Sequence, residues 1–398
     1  MGAPIGMRIL MMHSRYQQRG GEDISTRAEA ELLRRGGHEV ELVEYDNADV
    51  ERIGRAVTAV RTTWSRSAVA DVRARLSAQR FDVLHVQNYF PLISPAVLLA
   101  ASRMGVATVQ ALRNYRLMCV AGQLFRDGHD CRRCVGKAVP WMGVRLRCYR
   151  GSAAGSAALA TMVATHKALG TWHRHTDALV PVSEFVREMY VAGGFPAERL
   201  FAKPNVSLAE ARNRPKRRQA IFAGRLTREK GVDNLIAAWR HAPPADARLL
   251  IVGTGPHEGE LRAIARGDTS INFAGHCNHD ALMDMVAESR ISIIPSVWDD
   301  PFPRTGVEAF SVGTPVIAAA KGGLVEIVEG SGGGATYAAQ DIFALSALIA
   351  RAFTDDDWWR AASAAAEAGF AAKYSQAAIL ARTTAIYDAA IARRRSHG

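Results

Sequence analysis

Residues 293–319, IIPSVWDDPFPRTGVEAFSVGTPVIAA, place two short apolar runs on either side of a polar turn and a helical segment. The runs at 291–296 and 315–319 have the length and composition of buried strands, and residues 304–313 are typical of a helix. A strand, a crossing helix and a second strand form the βαβ unit of a parallel sheet. Asp300 then lies in the loop after the first strand, and Glu308 lies about one turn inside the helix.

The same alternation extends over most of the chain. Apolar runs at 7–13, 38–45, 81–89, 107–112 and 178–183 form one series, and runs at 219–226, 247–255, 271–275, 291–296 and 315–319 form a second. The polar, basic, proline-bearing segment 203–224 separates the two series. We therefore predict two Rossmann-like, doubly wound α/β domains at 1–205 and 206–375 that face one another across a cleft. A C-terminal helix at 376–398 should pack back on the first domain.

The composition is that of a globular protein. The 398 residues are 48% apolar and 22% charged, and no stretch approaches the ~20 apolar residues of a membrane span. The N-terminal residues lack the pattern of a signal peptide, so a cytoplasmic location is expected. The net charge of +11 fits a solvated surface, an anionic small-molecule ligand or peripheral contact with an anionic membrane. No nucleic-acid-binding motif is present, so nucleic acid is not an expected partner.

Polar residues that follow the strands of the second series indicate an anion site. Arg225 and Lys230 lie five residues apart beside a helix start, where cations and free N–H groups suit a diphosphate. Gly253 and Gly255 form a turn after another strand, where backbone can approach a ligand closely. The N–H groups of residues such as Arg304 and Thr305 would point towards a bound anion. Solvated surface charges and a helix-capping acid are the structural alternatives.

Several segments, in this order and spacing, resemble the retaining GT-B glycosyltransferases of family four. In the second half these are FAGRLTREKGVDNLIAAW (222–239), LIVGTGP (250–256), INFAGH (271–276), residues 295–318 and GGLVEIV (322–328). In the first half they are GGED (20–23), residues 81–119 and ALVPVSEFV (178–186). The resemblance implies a GT-B fold and a metal-independent transfer, with retention, from a nucleotide-diphosphate sugar to an acceptor hydroxyl. UDP- or GDP-sugars are the expected donors, and a polysaccharide, a lipid-linked glycan or a small molecule the acceptor.

The resemblance also implies roles for individual residues. Arg225 and Lys230 would neutralise the donor diphosphate, Glu308 would hold the ribose and Asp300 would contact the donor sugar. The loop with Gly20 and Gly21 would close over the diphosphate and the acceptor. The remaining residues of the donor pocket would be Gly224, Gly253, Gly255, Phe302, Arg304, Thr305, Gly322, Gly323 and Glu326.

The chain departs from the family pattern at three positions. Asp300 stands where glutamate is usual, and Pro303, which lacks an N–H, stands where glycine is usual. Arg113 stands where many members have a histidine near the reacting sugar, and arginine cannot act as a base at neutral pH. The implied mechanism therefore has the leaving phosphate accept the proton of the acceptor.

Residues of the first series are candidates for the acceptor side. Arg113 and Asn114 lie in the family-like segment LRNYR, and His13 and His85 lie in or directly after predicted strands, where structural roles are equally open. Three other functions stay open beside transfer. They are a nucleotide-sugar hydrolase or epimerase of the same fold, a non-catalytic nucleotide-sugar-binding subunit and a zinc-organised interaction protein.

Four of the five cysteines fall within 30 residues, in an insertion at 116–152. Cys119, Cys131, Cys134 and Cys148 have the spacing C-x11-C-x2-C-x13-C. In a cytosolic chain this pattern favours a structural zinc site, with an iron–sulfur cluster as a less favoured alternative and thiols without metal as another. Cys277 stands alone.

Overall fold

The computed structural model describes residues 6–17, 21–207 and 212–397, and the side chain of His397 is not described. The chain divides into two compact units. One comprises the residues up to Leu124, Arg132–Val206 and the residues from Ile379 on, and the other comprises Phe125–Cys131 and Ser207–Ala378. No helix in the described ranges is long and apolar enough to cross a membrane.

Each unit is built on a parallel sheet. The first has the strand order β2-β1-β3-β4-β7 and the second β10-β9-β8-β11-β12-β13, while β5 and β6 form a small antiparallel hairpin. The strand bounds are β1 Arg8–Arg15, β2 Glu39–Asp46, β3 Val83–Asn88, β4 Ala107–Leu112, β5 Phe125–Arg126, β6 His129–Asp130, β7 Ala178–Pro181, β8 Arg217–Ala223, β9 Arg248–Val252, β10 Ile271–Gly275, β11 Ser289–Ile294, β12 Val316–Ala319 and β13 Gly334–Tyr337.

Helices connect the strands, and several begin at a residue whose side chain accepts a backbone N–H of the first turn. These capping residues are Ser65, Ser152, Ser183, Asn278, Asp341 and Asp355. The helix bounds are α1 Gly21–Arg35, α2 Asp49–Ile53, α3 Arg55–Thr63, α4 Arg66–Ala78, α5 Ala96–Arg103, α6 Trp141–Arg145, α7 Ala153–Ala168, α8 Thr171–Arg174, α9 Glu184–Ala192, α10 Val232–His241, α11 Glu258–Ile264, α12 His279–Glu288, α13 Arg304–Phe310, α14 Leu324–Val328, α15 Ile342–Thr354, α16 Asp356–Gly369 and α17 Gln376–His397.

Several strands are buried along their whole length, as expected where helices cover both faces of a sheet, although β3 also carries buried polar residues such as His85. Every residue of β3, β7 and β12 is buried. In the first unit the sheet core includes Ile386 and Tyr387 of α17, and the Tyr387 hydroxyl lies 2.7 Å from Nδ1 of His85 on β3. In the second unit Trp239 of α10 is fully buried against the sheet.

These features confirm the predicted fold class of two doubly wound α/β units. The structure adds the edge strand β13 and the β5–β6 hairpin, which the sequence patterns did not indicate. Residues 125–131, inside the predicted cysteine-rich insertion, group with the second unit.

Candidate functional site

The second unit brings most of the predicted donor residues to one edge of its sheet. Strands β8, β9, β11 and β12 are mutually parallel, so their carboxyl ends meet at the same edge. The loops that follow them carry Gly224 and Arg225, Gly253, Asp300, and Gly322. In doubly wound folds this edge is where ligands bind.

Lys230 and Asp300 form an ion pair at this edge. Nζ of Lys230 lies 2.6 Å from Oδ2 of Asp300, and the two side chains are only 20% and 12% exposed. Lys230 ends a 3₁₀ turn at Arg228–Lys230, and its ammonium also lies 5.6 Å from the centre of the Trp298 ring. The ammonium has three N–H donors, so it can keep Asp300 and still donate to an added anion.

The two other predicted charges of this group are placed differently. Arg225 is 76% exposed, and its Nη2 lies 3.9 Å from Oε1 of Glu229. Glu308, with its side chain 7% exposed, accepts a 2.8 Å hydrogen bond from Nη2 of Arg304, one turn earlier on α13. Glu308 is therefore a shielded, paired carboxylate rather than a solvated one.

The glycine turns of this edge serve close packing of loop on loop. A Cβ on Gly253, whose φ is +134°, would lie 1.9 Å from the carbonyl oxygen of Gly224. A Cβ on Gly322, whose φ is +54°, would lie 2.4 Å from the carbonyl oxygen of Asp300. The amide of Gly323 donates to that same carbonyl at 3.0 Å, so the turn after β12 fixes the backbone of Asp300.

The remaining predicted donor residues lie in the same loops or helices. Phe302 is buried, with its ring 6.1 Å from that of Tyr374. Thr305 is half-buried on the first turn of α13, and Glu326 is half-buried on α14. Gly255 follows β9, where a Cβ would lie 2.3 Å from the carbonyl oxygen of Leu226.

Buried polar atoms without a partner mark this edge, and the sequence did not single most of them out. Among the described residues, Oγ1 of Thr227, Oγ of Ser296, Nε1 of Trp298 and Nε of Arg304 are buried and have no hydrogen-bond partner. Buried polar atoms are normally satisfied, so unpaired ones around a single edge point to a polar ligand. The one signal for these atoms in the sequence is that their residues lie in the segments that follow β8 and β11.

The first unit has a polar cavity at the carboxyl ends of β3 and β4. The cavity is lined by Glu22, Gln87, Asn88, Tyr89, Gln110, Ala111, Leu112, Arg113, Asn114, Arg116, Leu117 and Tyr190. Oε2 of Glu22, Nε of Arg113 and Nε of Arg116 are buried without a hydrogen-bond partner in the part of the chain that is described. The cavity encloses about 20 Å³, roughly the space that one water molecule needs, so these unpaired atoms suit an ordered water or a single hydroxyl group. Of the predicted acceptor-side residues, Arg113 and Asn114 line it.

Arg113 belongs to a buried charge cluster centred on Glu29 of α1. Glu29 accepts from Nζ of Lys203 at 2.8 Å and from Nη2 of Arg113 at 3.1 Å. Burial alone would raise the pKa of Glu29, but the charges of Lys203, His85 and Arg113 outweigh it and lower the pKa to about 2. Arg113 also donates to the carbonyl oxygen of Glu22 at 3.2 Å. Its guanidinium therefore ties α1 to β4.

The two predicted histidines are engaged inside the first unit. Nε2 of His13 lies 2.7 Å from Oδ1 of Asp23, and burial lowers the pKa of His13. His85 pairs with Tyr387, and burial lowers its pKa to about 4, so it is neutral at pH 7. Neither histidine is among the residues that line the cavity.

Of the predicted glycine loop, Gly21 is the exposed first residue of α1, and Gly20 lies outside the described residues.

The zinc prediction is not supported, nor is the iron–sulfur alternative. Within residues 6–17, 21–207 and 212–397, no group of three or more histidine, cysteine, aspartate or glutamate side chains is arranged to hold a metal ion. Cys119, Cys131, Cys134 and Cys148 are each half-buried. Cys131 follows the β5–β6 hairpin and groups with the second unit, whereas the other three group with the first. The cysteine spacing in the sequence therefore does not produce a metal-holding group among the described residues.

Comparison with known proteins agrees with this architecture. The family model "Glycosyl transferase 4-like domain" matches residues 20–206, and "Glycosyl transferases group 1" matches residues 207–369. An uncharacterized glycosyltransferase of Methanocaldococcus jannaschii, MJ1607, is 26% identical over 353 residues, covering 81% of this chain and 83% of that protein.

Solved structures show the same fold. The Anabaena protein Alr3699/HepE in complex with UDP superposes with a TM-score of 0.65 at 16% identity, covering 95% of this chain and 99% of that one. A glycosyltransferase of Rickettsia africae gives a TM-score of 0.69 at 14% identity, covering 96% and 99%. The two family models together account for nearly the whole chain. This chain therefore belongs to the GT-B glycosyltransferases that combine a glycosyl transferase 4-like domain with a group 1 domain.

Proposed function

We propose that this glycosyltransferase moves a sugar, with retention, from a nucleotide-diphosphate donor bound by the second unit to a hydroxyl group of an acceptor bound by the first. UDP-sugars are the first donors to test because the Anabaena protein HepE has been solved with UDP and with UDP-glucose. GDP-sugars come next. A polysaccharide, a lipid-linked glycan and a small molecule are the acceptor classes to compare.

The ion pair between Lys230 and Asp300 is the observation that carries this proposal. The 2.6 Å pair joins a cation suited to a phosphate and an acid suited to sugar hydroxyls at the ligand-binding edge of the sheet. Asp300 keeps the shielded ammonium paired until a donor arrives. A phosphate oxygen could then take another of the Lys230 N–H groups while Asp300 receives a sugar hydroxyl. Both groups would thus be oriented before the donor binds.

The other donor contacts follow from the same edge. Arg225, in the loop after β8, has an exposed guanidinium that could swing onto the diphosphate and stabilise the charge that grows on the leaving group. Glu308 would accept the ribose hydroxyls, with Arg304 holding its carboxylate. Arg225 and Lys230, rather than a metal ion, would carry the diphosphate charge. The unpaired atoms of Thr227, Ser296 and Trp298 would complete the pocket.

Retention and the fate of the proton also belong to the proposal. Arg113 is only 4% exposed, its charge is paired with Glu29, and arginine does not accept a proton at neutral pH. A phosphate oxygen of the donor would therefore take the acceptor proton as the new glycosidic bond forms and the bond to the diphosphate breaks on the same face of the sugar. The anomeric configuration is kept in such a step.

Two arginines of almost equal exposure offer a matched test of the diphosphate site. Arg225 is 76% exposed and Arg228 is 75% exposed, but Arg228 points to Glu260 at 2.7 Å. Calorimetric titration with UDP and UDP-glucose should show affinity about 10- to 100-fold weaker for Lys230→Ala, since charge-assisted hydrogen bonds contribute about 1.5–3 kcal/mol. Arg225→Ala should weaken binding less, and Arg228→Ala should leave it unchanged.

The proposal is wrong if the folded wild-type protein binds no nucleotide sugar, GDP-sugars included, or if Lys230→Ala binds UDP as tightly as the wild type. Donor binding without turnover in a broad acceptor screen would favour the non-catalytic subunit. Consumption of donor without any acceptor would favour the hydrolase or epimerase. With a productive acceptor, NMR of the product decides between retention and inversion.

A further inference from the structure

A 20-residue stretch, all but its first residue in the first unit, carries basic side chains and no acidic ones. Residues 131–150 contain six lysines and arginines and no aspartate or glutamate. Most of these cations are exposed, including Arg133, Lys137, Arg145, Arg147 and Arg150. Among the described residues none forms an ion pair with these five side chains, so their charge is available to solvent or to a partner.

Large apolar side chains are exposed among these cations. Val139 is 45% exposed and Trp141 is 54% exposed, at the start of α6. Arg145 lies one turn after Trp141, so the two side chains lie on the same side of the helix. Gly143 faces inwards, where an added Cβ would lie 2.4 Å from the Val120 side chain. This close approach fixes α6 with Trp141 outwards.

A second helix repeats the pattern. Helix α3 exposes Val57 (48%) and Val60 (68%), which lie three residues apart on one side. Residues 52–70 contain four arginines and no acid. Both α3 and α6 pack against α7. We call the exposed residues of α3, of α6 and of segment 131–150 the basic-apolar face.

We propose that the basic-apolar face docks the first unit onto an anionic membrane surface. A tryptophan and valines among arginines suit the boundary between lipid headgroups and acyl chains, where the apolar parts enter and the cations meet lipid phosphates. Each arginine near such a surface strengthens binding about fivefold. This docking does not depend on the donor proposal, since none of these residues lies in the second unit.

Two other partners fit the face less well. Nucleic acid would use the cations but gain little from exposed Val60 and Trp141, because phosphate-backbone binding depends on charge. A second copy of the chain would present a face of the same charge, and like charges repel across an interface. An anionic lipid surface is the partner that uses both properties.

Co-sedimentation of the full chain with vesicles tests the proposal. At low salt, wild type should pellet with phosphatidylcholine vesicles that contain 30% phosphatidylglycerol, and not with pure phosphatidylcholine. Arg145→Gln/Arg147→Gln should weaken binding by about 25-fold, and Trp141→Ser by about tenfold. The matched control for the arginine pair is Arg73→Gln/Arg80→Gln, two exposed arginines in α4 and just beyond its end. The matched control for Trp141→Ser is Phe343→Ser, since Phe343 is 69% exposed and lies in the second unit. Both controls should bind like wild type.

Three results would overturn the proposal. The first is failure of wild type to pellet with anionic vesicles. The second is an equal loss of vesicle binding in Arg73→Gln/Arg80→Gln. The third is vesicle binding that Trp141→Ser leaves unchanged, together with binding of duplex DNA as tight as that of the vesicles. Thermal melting checks that each variant is folded, and Arg133→Gln/Lys137→Gln replaces the first pair if it melts early. Calorimetry with UDP keeps the two proposals separate, since a variant that loses vesicle binding should keep its nucleotide affinity.

Discussion

The buried cluster around Glu29 allows one stability prediction to be worked out fully. Glu29 is 1% exposed and bonds to Lys203 and Arg113, whose side chains are 5% and 4% exposed. Glu29→Gln keeps the size of the side chain but leaves two buried cations without their counter-charge. Removing one partner of a buried pair is expensive because the other charge stays out of water.

The pKa of Glu29 gives the magnitude and the pH range. Burial would raise this pKa, but the neighbouring cations lower it from 4.5 to about 2. At about 1.4 kcal/mol per unit of pH, the ionised form contributes about 3 kcal/mol to the free energy of unfolding. Because the folded-state pKa is the lower one, this contribution is complete above about pH 4.5 and is lost as the pH falls towards 2. The variant should thus differ from wild type at pH 7 and converge with it in acid.

Calorimetric melting of the full chain measures this difference. At pH 7, Glu29→Gln should lower the melting temperature of the first unit by roughly 6–12 °C, at about 2–4 °C per kcal/mol for a unit of this size. The control is Glu31→Gln, two residues along α1, whose side chain is 52% exposed and makes only surface pairs. Equal melting of Glu29→Gln and wild type at pH 7, or an undiminished gap at pH 3, would refute the reasoning.

Two further predictions concern packing. Gly253→Ala should destabilise the second unit by about 2–5 kcal/mol, since its Cβ would lie 1.9 Å from the Gly224 oxygen at an unfavourable φ. Gly259→Ala, a change in helix α11 with open space around it, should melt no lower than wild type. Equal melting of the two variants would contradict this reasoning. Tyr387→Phe should lower the free energy of unfolding by about 1 kcal/mol, because it removes the 2.7 Å hydrogen bond to His85, and it should not change UDP affinity. An unchanged unfolding midpoint in urea would show that this hydrogen bond does not contribute to stability.

The sequence predicted the βαβ order well because most of the buried parallel strands are short apolar runs bounded by polar turns. The strands at 107–112 and 271–275 have the predicted bounds. Strand β13 was missed because it begins at the last glycine of SGGG, and glycine-rich segments are typical of loops. Its place at the sheet edge, beside β12 alone, lets it form despite this composition.

The sites were predictable only in part. Motif spacing selected Lys230 and Asp300, although nothing in it indicated that they form an ion pair. Glu29 was missed because an acid in an amphipathic helix is typical of a solvated side chain, while its partner Lys203 lies 174 residues away. The cysteine spacing predicted a metal site, but spacing does not fix the direction of each thiol.

The contribution of α17 to the first unit has a consequence for how the chain folds during translation. His85 and Tyr387 are 302 residues apart, and Arg394 of α17 donates to Asp177 from 217 residues further along. The ribosome therefore completes the strands of the first unit long before it makes the helix that fills part of their core. The second unit, whose sheet is contiguous in sequence, can fold first. The nascent first unit then keeps apolar surface exposed until α17 is made, and it is a candidate substrate for chaperones.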